Sequence, residues 1–215
     1  MINFELLIKS IPLLIKGASI SLLIAFGAMC LGLFGGTIIA VMQRSKNKFF
    51  RIFANSYVTI VRGTPMLIQI WLMLTFFSLL GIWNILAVAV VALGLNSAAY
   101  MSQTINAGIC AVGKGQIEAA QVLGFNSNQI WRLIVLPQAF RAVISPMANE
   151  IITLIKDSSL ASVIGVYELL KEGRTIISQT YDPFTVYFAV GILYLIMTGL
   201  VSLMFKHLER KYNGH

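Results

Sequence analysis

Charge is what this 215-residue chain has least of: only 11% of its residues are Asp, Glu, Lys or Arg. Soluble domains carry about 25%, so the polar surface is too small to face water all round. The shortage falls in blocks. No charged residue occurs from Gly17 to Gln43, from Gly63 to Gly113, or from Pro183 to Phe205. A helix crosses the hydrocarbon core with about 20 mainly apolar residues, and each block supplies at least that. Mean hydropathy is +0.83. The chain reads as an integral membrane protein, all-α and polytopic.

Histidine and cysteine are equally scarce. The two histidines, His207 and His215, both fall in the C-terminal tail. No Ser/His/Asp or metal-binding constellation can therefore form inside the membrane, which argues against an intramembrane hydrolase or acyltransferase. The two cysteines, Cys30 and Cys110, have no metal spacing and read as small packing residues. There is no G-x4-G-K-[ST] phosphate loop, so the chain is not expected to hydrolyse ATP. The start, with Glu5 and no cleavage site after a short apolar core, does not read as a signal peptide.

The charge that is present is basic, a net +8, and its placement excludes nucleic acid as the partner. Arg44, Lys46, Lys48 and Arg51 occupy one connector; Lys114, Arg132 and Arg141 lie in or beside a polar segment; Lys206, Arg210 and Lys211 follow the last apolar run. These ten of the sixteen cations fall on one face of a five-span protein. The positive-inside rule makes that face cytoplasmic, beside anionic lipid. The N-terminus and the 157–182 stretch are then external and the C-terminus cytoplasmic.

The five spans are expected as follows. An amphipathic start, Met1 to Ile11, precedes helix 1 at Pro12 to Met42, with proline in the first turn. Helix 2 covers Ile52 to Leu80, interrupted at Arg62-Gly63-Thr64-Pro65. Helix 3 runs from Ile85 to Cys110, helix 4 from Gln138 to Ile155, and helix 5 from Pro183 to Lys206. No repeat or low-complexity tract appears, and residues 1–215 read as a single transmembrane domain.

The polar segment from Ala111 to Pro137 has its own pattern. Glu118 to Leu123 are good helix formers, and Gly124 is a natural left-handed stop. Asn126 followed by Gln129 resembles a capping box. It opens a helix with an apolar stripe of Ile130, Trp131, Leu133, Ile134 and Leu136. Pro137 is expected to end that helix and start helix 4. The product is a short helix–turn–helix whose first helix exposes Ala119 and Ala120 beside one charge, a surface open to close approach by a partner.

Glu118-Ala119-Ala120, Gly124 and, further on, Ile134-Val135-Leu136-Pro137 resemble, in residues and spacing, the EAA motif of ATP-binding-cassette importer permeases. An ordinary amphipathic interhelical loop is the plain alternative. Three other segments resemble the polar amino-acid branch of that family, the histidine- and glutamine-type permeases. They are Arg62-Gly63-Thr64-Pro65-Met66-Leu67-Ile68-Gln69, Asn96-Ser97-Ala98-Ala99-Tyr100, and Lys156-Asp157-Ser158-Ser159-Leu160.

The resemblance implies a type I importer permease fold with five transmembrane helices. It implies ATPase coupling through Glu118, Ala119, Ala120, Gly124, Ile134, Leu136 and Pro137. The partners would be two ATP-binding subunits, a second permease (a copy or a relative), and a periplasmic or lipid-anchored solute-binding protein, in the bacterial inner membrane. No cofactor is expected in this chain, ATP and Mg belonging to the ATPase. The alternatives are a stand-alone secondary transporter, or a cassette permease for another small polar solute.

For the substrate pathway the residues point to Gly63, Thr64, Pro65, Gln69, Asn96, Tyr100, Gln103, Lys156, Asp157 and Ser158. The break at Pro65 removes a backbone hydrogen bond at membrane depth, which survives only in a protein-buried or wet place. It reads either as a plain proline kink or as a discontinuous helix offering backbone groups to substrate. Arg62 should face the bundle interior or a gate. Asn96, Tyr100 and Gln103 share a helical face suited to a pathway or to interhelical hydrogen bonds. Relatives commonly carry Glu at 103 and Arg at 106, where this chain has Gln103 and Asn106. The missing acid leads to the expectation of a glutamine-like substrate rather than arginine or lysine. Lys156 and Asp157 read as an interfacial pair, and Glu150 as a structural hydrogen-bonding group or a gate.

Overall fold

The structure, a computed structural model, describes residues 2–213. Met1 and His215 lie outside the described residues. Among these the regular elements are all helical.

Helix α1 (Phe4–Gln43) is continuous. The expected separate start before Pro12 merges into it, and Pro12 sits in the helix interior rather than its first turn. An interior proline costs about 3 kcal/mol, and anchoring at the helix end offsets it. The Asn3 side chain caps the helix by accepting from the Leu6 N–H at 3.1 Å. The Asn3 N–H donates to Thr185 Oγ1 at 3.0 Å, tying the helix start to residues 182 units away in sequence. Leu6 packs against the main core.

Helix α2 (Lys48–Gly63) and helix α3 (Met66–Leu79) replace the expected second span. They turn through 113° at Thr64–Pro65, far beyond a proline kink. Helix α4 (Ile85–Cys110) lies beside α1, and the contacts between them fix its direction. Gly27 faces Val90, Gly32 faces Ser97, and Gly36 faces Met101, so the two helices run parallel. Chain leaving α1 must therefore return across the membrane before α4 begins. The bent α2–α3 pair makes that return.

Helix α5 (Lys114–Val122) and helix α6 (Ser127–Ile130) form the helix–turn–helix. A π turn, Trp131–Val135, carries α6 into helix α7 (Leu136–Asp157). Gly108 of α4 meets Ala139 and Val143, while Ser97 meets Glu150, so α7 runs antiparallel to α4. A 3-10 segment, Ser158–Ile164, ends at Gly165 with φ +92°. Helix α8 (Leu169–Thr180) then lies on α1, where Leu169 and Glu172 crowd Gly17.

Glu168 caps α8 from a buried position. It accepts from the N–H groups of Leu170 and Lys171 and from the Tyr194 hydroxyl. Helix α9 (Pro183–Asn213) completes the bundle. Just before it, the backbone N–H and hydroxyl of Thr185 donate to Asp182 and hold its carboxyl below the usual carboxylate range. The start of α9 therefore lies beside the start of α1, and the end of α9 lies at the other end of the bundle.

Helices α1, α4 and α9 are each long and apolar enough to cross a membrane, and the α2–α3 pair makes a fourth span if counted as one. Helix α7, the remaining expected span, does not reach that apolarity because it carries Arg141, Glu150 and Lys156. It packs against α1, α4 and α9, which is where a charged helix belongs in a bilayer. Cys30 and Cys110, expected to be packed inside, lie on the outer surface of the chain. Cys110, the last residue of α4, stands beside the Arg44 guanidinium, with Sγ 3.9 Å from Nη1.

The α1–α4 seam depends on small residues: Ala25, Ala28, Gly32, Gly36 and Ala40 of α1 are all buried, whereas buried Ser21 accepts from the Leu169 N–H of α8. In lipid no hydrophobic drive pushes helices together, and small side chains let backbones approach. A Cβ on Gly36 would lie 2.6 Å from Met101 Cβ and 3.0 Å from the Ala98 carbonyl oxygen. Gly36→Ala is expected to destabilise the protein by about 1–3 kcal/mol, read as a lower unfolding midpoint in detergent. Gly199→Ala, which meets nothing within 4 Å, should leave the midpoint unchanged. Equal midpoints for the two would show that the seam is not close-packed.

Candidate functional site

Two places carry the sequence-derived residues: the helix–turn–helix, and a cavity where the bend meets α4 and α7. In the first, Gly124 adopts φ +82°. The Phe125 N–H reaches the Ala120 carbonyl and the Gly124 N–H reaches that of Gln121, both at 3.0 Å. This pair of bonds is the Schellman stop for α5. The capping box then forms as read from sequence: Asn126 Oδ1 accepts from the Gln129 N–H at 3.0 Å, and Gln129 Oε1 from the Asn126 N–H at 2.9 Å.

Behind this turn sits a small core of its own. Val112, Ala120, Ile130 and Val135 are buried, with Ile109, Ile117 and Ile134 packed against them. Two corrections follow. Ala120 is not exposed; at 2% accessible it is packed in this small core with Ile130 of α6. Glu118 and Ala119 do face outward.

Pro137, moreover, does not end a helix. The chain is helical from Ser127 through Asp157, because the π turn absorbs the residue without an N–H. The Leu136 N–H reaches back five residues to the Trp131 carbonyl, and the Gln138 side chain donates to the Ile134 carbonyl at 3.0 Å.

Two features of this segment escaped the sequence reading. Val122 is 88% and Leu123 75% exposed at the tip of α5. An apolar pair directly before a helix-stop glycine was the available signal. The Gln138 amide also donates to the Gln116 side chain, joining α5 to the first turns of α7.

At the second place, the bend leaves backbone carbonyls without helical partners, and side chains serve them. Gln69 Nε2 donates to the Val61 carbonyl at 2.8 Å and to Thr64, at 2.8 Å to its hydroxyl and 3.1 Å to its carbonyl. Thr64 donates in turn to the Ile60 carbonyl at 2.9 Å. Gln69 Oε1 accepts from Asn96 Nδ2 at 2.9 Å, so the bend is fastened to α4. These backbone groups are thus occupied from within the chain rather than offered outward. The Arg62 guanidinium lies over the Tyr100 ring, 5.1 Å from its centroid.

Between the bend, α4 and α7 lies a cavity of about 310 Å³, lined by Thr64, Met66, Asn96, Tyr100, Glu150, Thr153, Leu154 and Asp157. Four of the expected pathway residues meet there: Thr64, Asn96, Tyr100 and Asp157. Glu150 joins them, with Oε1 accepting from Ser97 Oγ at 2.7 Å. The lining holds two carboxylates and no cation.

The other expected residues lie elsewhere. Gly63 and Pro65 form the bend without lining the cavity, and Gln69 stands behind it. Lys156 is exposed on another face of α7, and no ion pair within 4 Å joins it to Asp157. Ser158 is buried and donates to the Ile155 carbonyl.

Gln103 is turned toward the far end of α1. Gln43 Oε1 accepts from Gln103 at 3.2 Å and from Asn106 at 2.6 Å, and Gln43 donates to Asn55 at 3.0 Å. Arg44 donates to Asn106 Oδ1 at 3.1 Å. Gln103 and Asn106 therefore belong to an amide network joining α1, α2 and α4, away from the central cavity. The absence of an acid at 103 says nothing about the charge of that cavity.

A family model described as "Binding-protein-dependent transport system inner membrane component" matches residues 31–214. The chain belongs to this family. Such permeases are multi-pass inner-membrane subunits that work with an ATPase and a solute-binding protein. The permease is 36% identical over 215 residues to a putative glutamine transport system permease protein, GlnP, of Rickettsia conorii, covering 97% of this chain and 98% of that one. It is also 36% identical over 211 residues to the probable amino-acid ABC transporter permease protein YckA of Bacillus subtilis, covering 98% and 93%. Its fold matches a crystal structure of an amino acid ABC transporter with histidines at a TM-score of 0.92, with 34% identity and coverage of 98% and 99%. The fold is that of the type I importer permeases.

Gly124 gives a direct test of the α5 stop. A Cβ there meets nothing within 4 Å, so any cost of substitution is backbone strain. Gly124→Ala should cost about 1–2 kcal/mol and speed amide exchange at Gly124 and Phe125, with Gly124→Asn milder. Unchanged exchange in both variants would contradict the left-handed turn.

Proposed function

We propose that this permease carries amino acids inward across the bacterial plasma membrane, driven by ATP hydrolysis in separate subunits. The observation that carries the reading is the α5 tip. Glu118, Ala119, Val122 and Leu123 stand outward on a short helix that is stopped, capped and braced against α7. An exposed apolar pair on a rigid support is what a groove in a partner needs. The basic connector, the helix–turn–helix and the end of α9 share one face, which the positive-inside rule makes cytoplasmic. Two ATP-binding subunits would dock there and hold ATP and Mg. A second permease, identical or related, would complete the pathway. The solute-binding protein would deliver from the side of Asp182 and α8, with the N-terminus outside and the C-terminus inside.

The names of the relatives, glutamine and amino-acid permeases, support the substrate class. So does the cavity. Every α-amino acid brings an ammonium group, and Glu150 and Asp157 offer it two carboxylates, with Asn96, Tyr100, Thr64 and Thr153 as neutral polar partners. Charge-assisted hydrogen bonds of this kind contribute about 1.5–3 kcal/mol each. Pumping requires that the outward and inward states differ in their affinity for the solute.

Two measurements on the reconstituted transporter test the reading. Leu123→Asp should abolish ATP-driven uptake while solute binding to the external binding protein is retained. Glu150→Gln and Asp157→Asn should each lower uptake by about tenfold. Full uptake by Leu123→Asp would remove the coupling role, and full uptake by both acid variants would remove the cavity. Failure to recover any ATPase with the wild-type chain in mild detergent would favour a stand-alone secondary transporter.

A further inference from the structure

A second cavity, which the transport reading does not use, opens where α4 begins. About 550 Å³ in volume, it lies between α1, the first turn of α4, the 165–167 loop and α8. Gly17 lets α8 come this near, since a Cβ there would stand 2.9 Å from Glu172 Cγ. Leu13, Lys16 and Ile20 share one face of α1 at helical spacing, and Glu172 and Thr175 share one face of α8. A cation and an acid therefore line the same cavity.

These two charges do not close on each other. Among the described residues no ion pair within 4 Å joins Lys16 to Glu172. The Glu172 carboxylate accepts no hydrogen bond, although the residue is only 5% accessible. Burial pushes its carboxyl above the ordinary value and Lys16 pulls the other way, so the two groups interact across the gap. A buried carboxylate is costly unless a cation reaches it. Lys171 and Arg174 of the same helix do not line the cavity, and the Lys171 ammonium is engaged over the Tyr167 ring, 5.8 Å from its centroid.

A ligand here needs an anion for Lys16 and an N–H-bearing cation for Glu172, a few bonds apart. It also needs an apolar body, because Leu13, Ile20, Ile85 and Leu86 form much of the wall. The level of the site narrows the choice. From Lys16 to Arg44, α1 climbs about 42 Å at 1.5 Å per residue, and a bilayer measured across both headgroup layers is about 40–45 Å thick. With Arg44 at the basic face, Lys16 stands among the headgroups of the other leaflet, and Tyr167 is an aromatic of that interface. Gly27 of α1 faces Val90 of α4, so Ile85 and Leu86 lie deeper than Lys16, as Ile20 does.

A free glutamine carries the same two charges but would press its amide against the alkyl walls. An aminophospholipid supplies phosphate, primary ammonium and hydrocarbon in the observed order. We propose that this cavity binds a phospholipid with a primary-ammonium headgroup, its phosphate on Lys16, its ammonium on Glu172 and an acyl chain against Ile20, Ile85 and Leu86. Bound there, the lipid ties α8 to α1 through its own two charges.

The test uses the transporter purified with its ATPase subunits, offered phosphatidylethanolamine and phosphatidylcholine in equal amounts. The two share a phosphate and a net charge and differ in the N–H groups. Lipid that survives mild delipidation is counted by native mass spectrometry. The wild type should retain phosphatidylethanolamine over phosphatidylcholine by about tenfold, the value of one charge-assisted hydrogen bond. Glu172→Gln should retain the two equally, Lys16→Gln should retain less of both, and Lys16→Arg should match the wild type.

A wild type that retains the two equally, or neither, overturns the proposal whether or not the variants insert. So does a Glu172→Gln variant with undiminished preference. Phosphatidylglycerol retained ahead of phosphatidylethanolamine would show a simple cationic patch, and displacement of the lipid by glutamine would show a free amino acid as the occupant; either result also overturns it. Absence of ATPase from the wild-type preparation would count against the transport reading alone, since the lipid count does not depend on it.

Discussion

Two side chains, Gln69 and with it Thr64, answer the requirement that hydrocarbon imposes on any backbone within it. Groups that leave a helix there must be satisfied by the protein itself, and at the 113° turn between α2 and α3 Gln69 does so. Its amide nitrogen covers carbonyls at the end of α2, and its oxygen holds Asn96 of α4. The chain can turn at membrane depth because those bonds exist, and the turn makes one wall of the cavity. The other walls come from Asn96 and Tyr100 on α4 and the acids on α7.

The second constraint is the parallel seam of α1 and α4. Glycines at 32 and 36 bring α4 close enough for Ser97 and Met101 to touch the α1 backbone face. Ser97 also donates to Glu150. Close packing on one side of α4 and the position of an acid on the other therefore depend on the same residue. Polar groups shared in this way resist piecemeal change, since the removal of one member leaves others unpaired in a medium that cannot hydrate them.

Much of this was legible in the sequence. Charge-free blocks placed both ends of α4 and the start of α9, although α9 continues past the expected Lys206 to Asn213. Gly124 and the Asn126–Gln129 pair gave the turn, because those features are local. Pro12, and Pro137 as a helix stop, were misread for the same reason, although Pro137 does stand in the first turn of α7 as expected. Local rules make proline a boundary, and only the tertiary anchoring of Asn3 or the π turn before Leu136 shows otherwise. The burial of Ala120 could not be read from a short amphipathic helix whose partner, Ile130, folds back onto it.

In the cavity, residue types were more legible than directions. Asn96, Tyr100 and Gln103 share a helical face, yet Gln43 at the end of α1 draws Gln103 away. Glu150 lines the cavity beside Asp157 because α7 runs antiparallel to α4, a fact carried by contacts between distant segments.

The unbroken helix from Ser127 to Asp157 has a mechanical meaning. Ile130 is rooted in the small core under the α5 tip, and Glu150 borders the cavity twenty residues further along the same rod, about 30 Å away at 1.5 Å per residue. A rod of that length works as a lever arm: a tilt of about 5° at one end carries the other sideways by roughly 2.5 Å. Such a stroke is comparable to the length of one hydrogen bond. A push delivered at the α5 tip would reach the acid along one continuous helix, with Pro137 and Pro146 the prolines along the span between them.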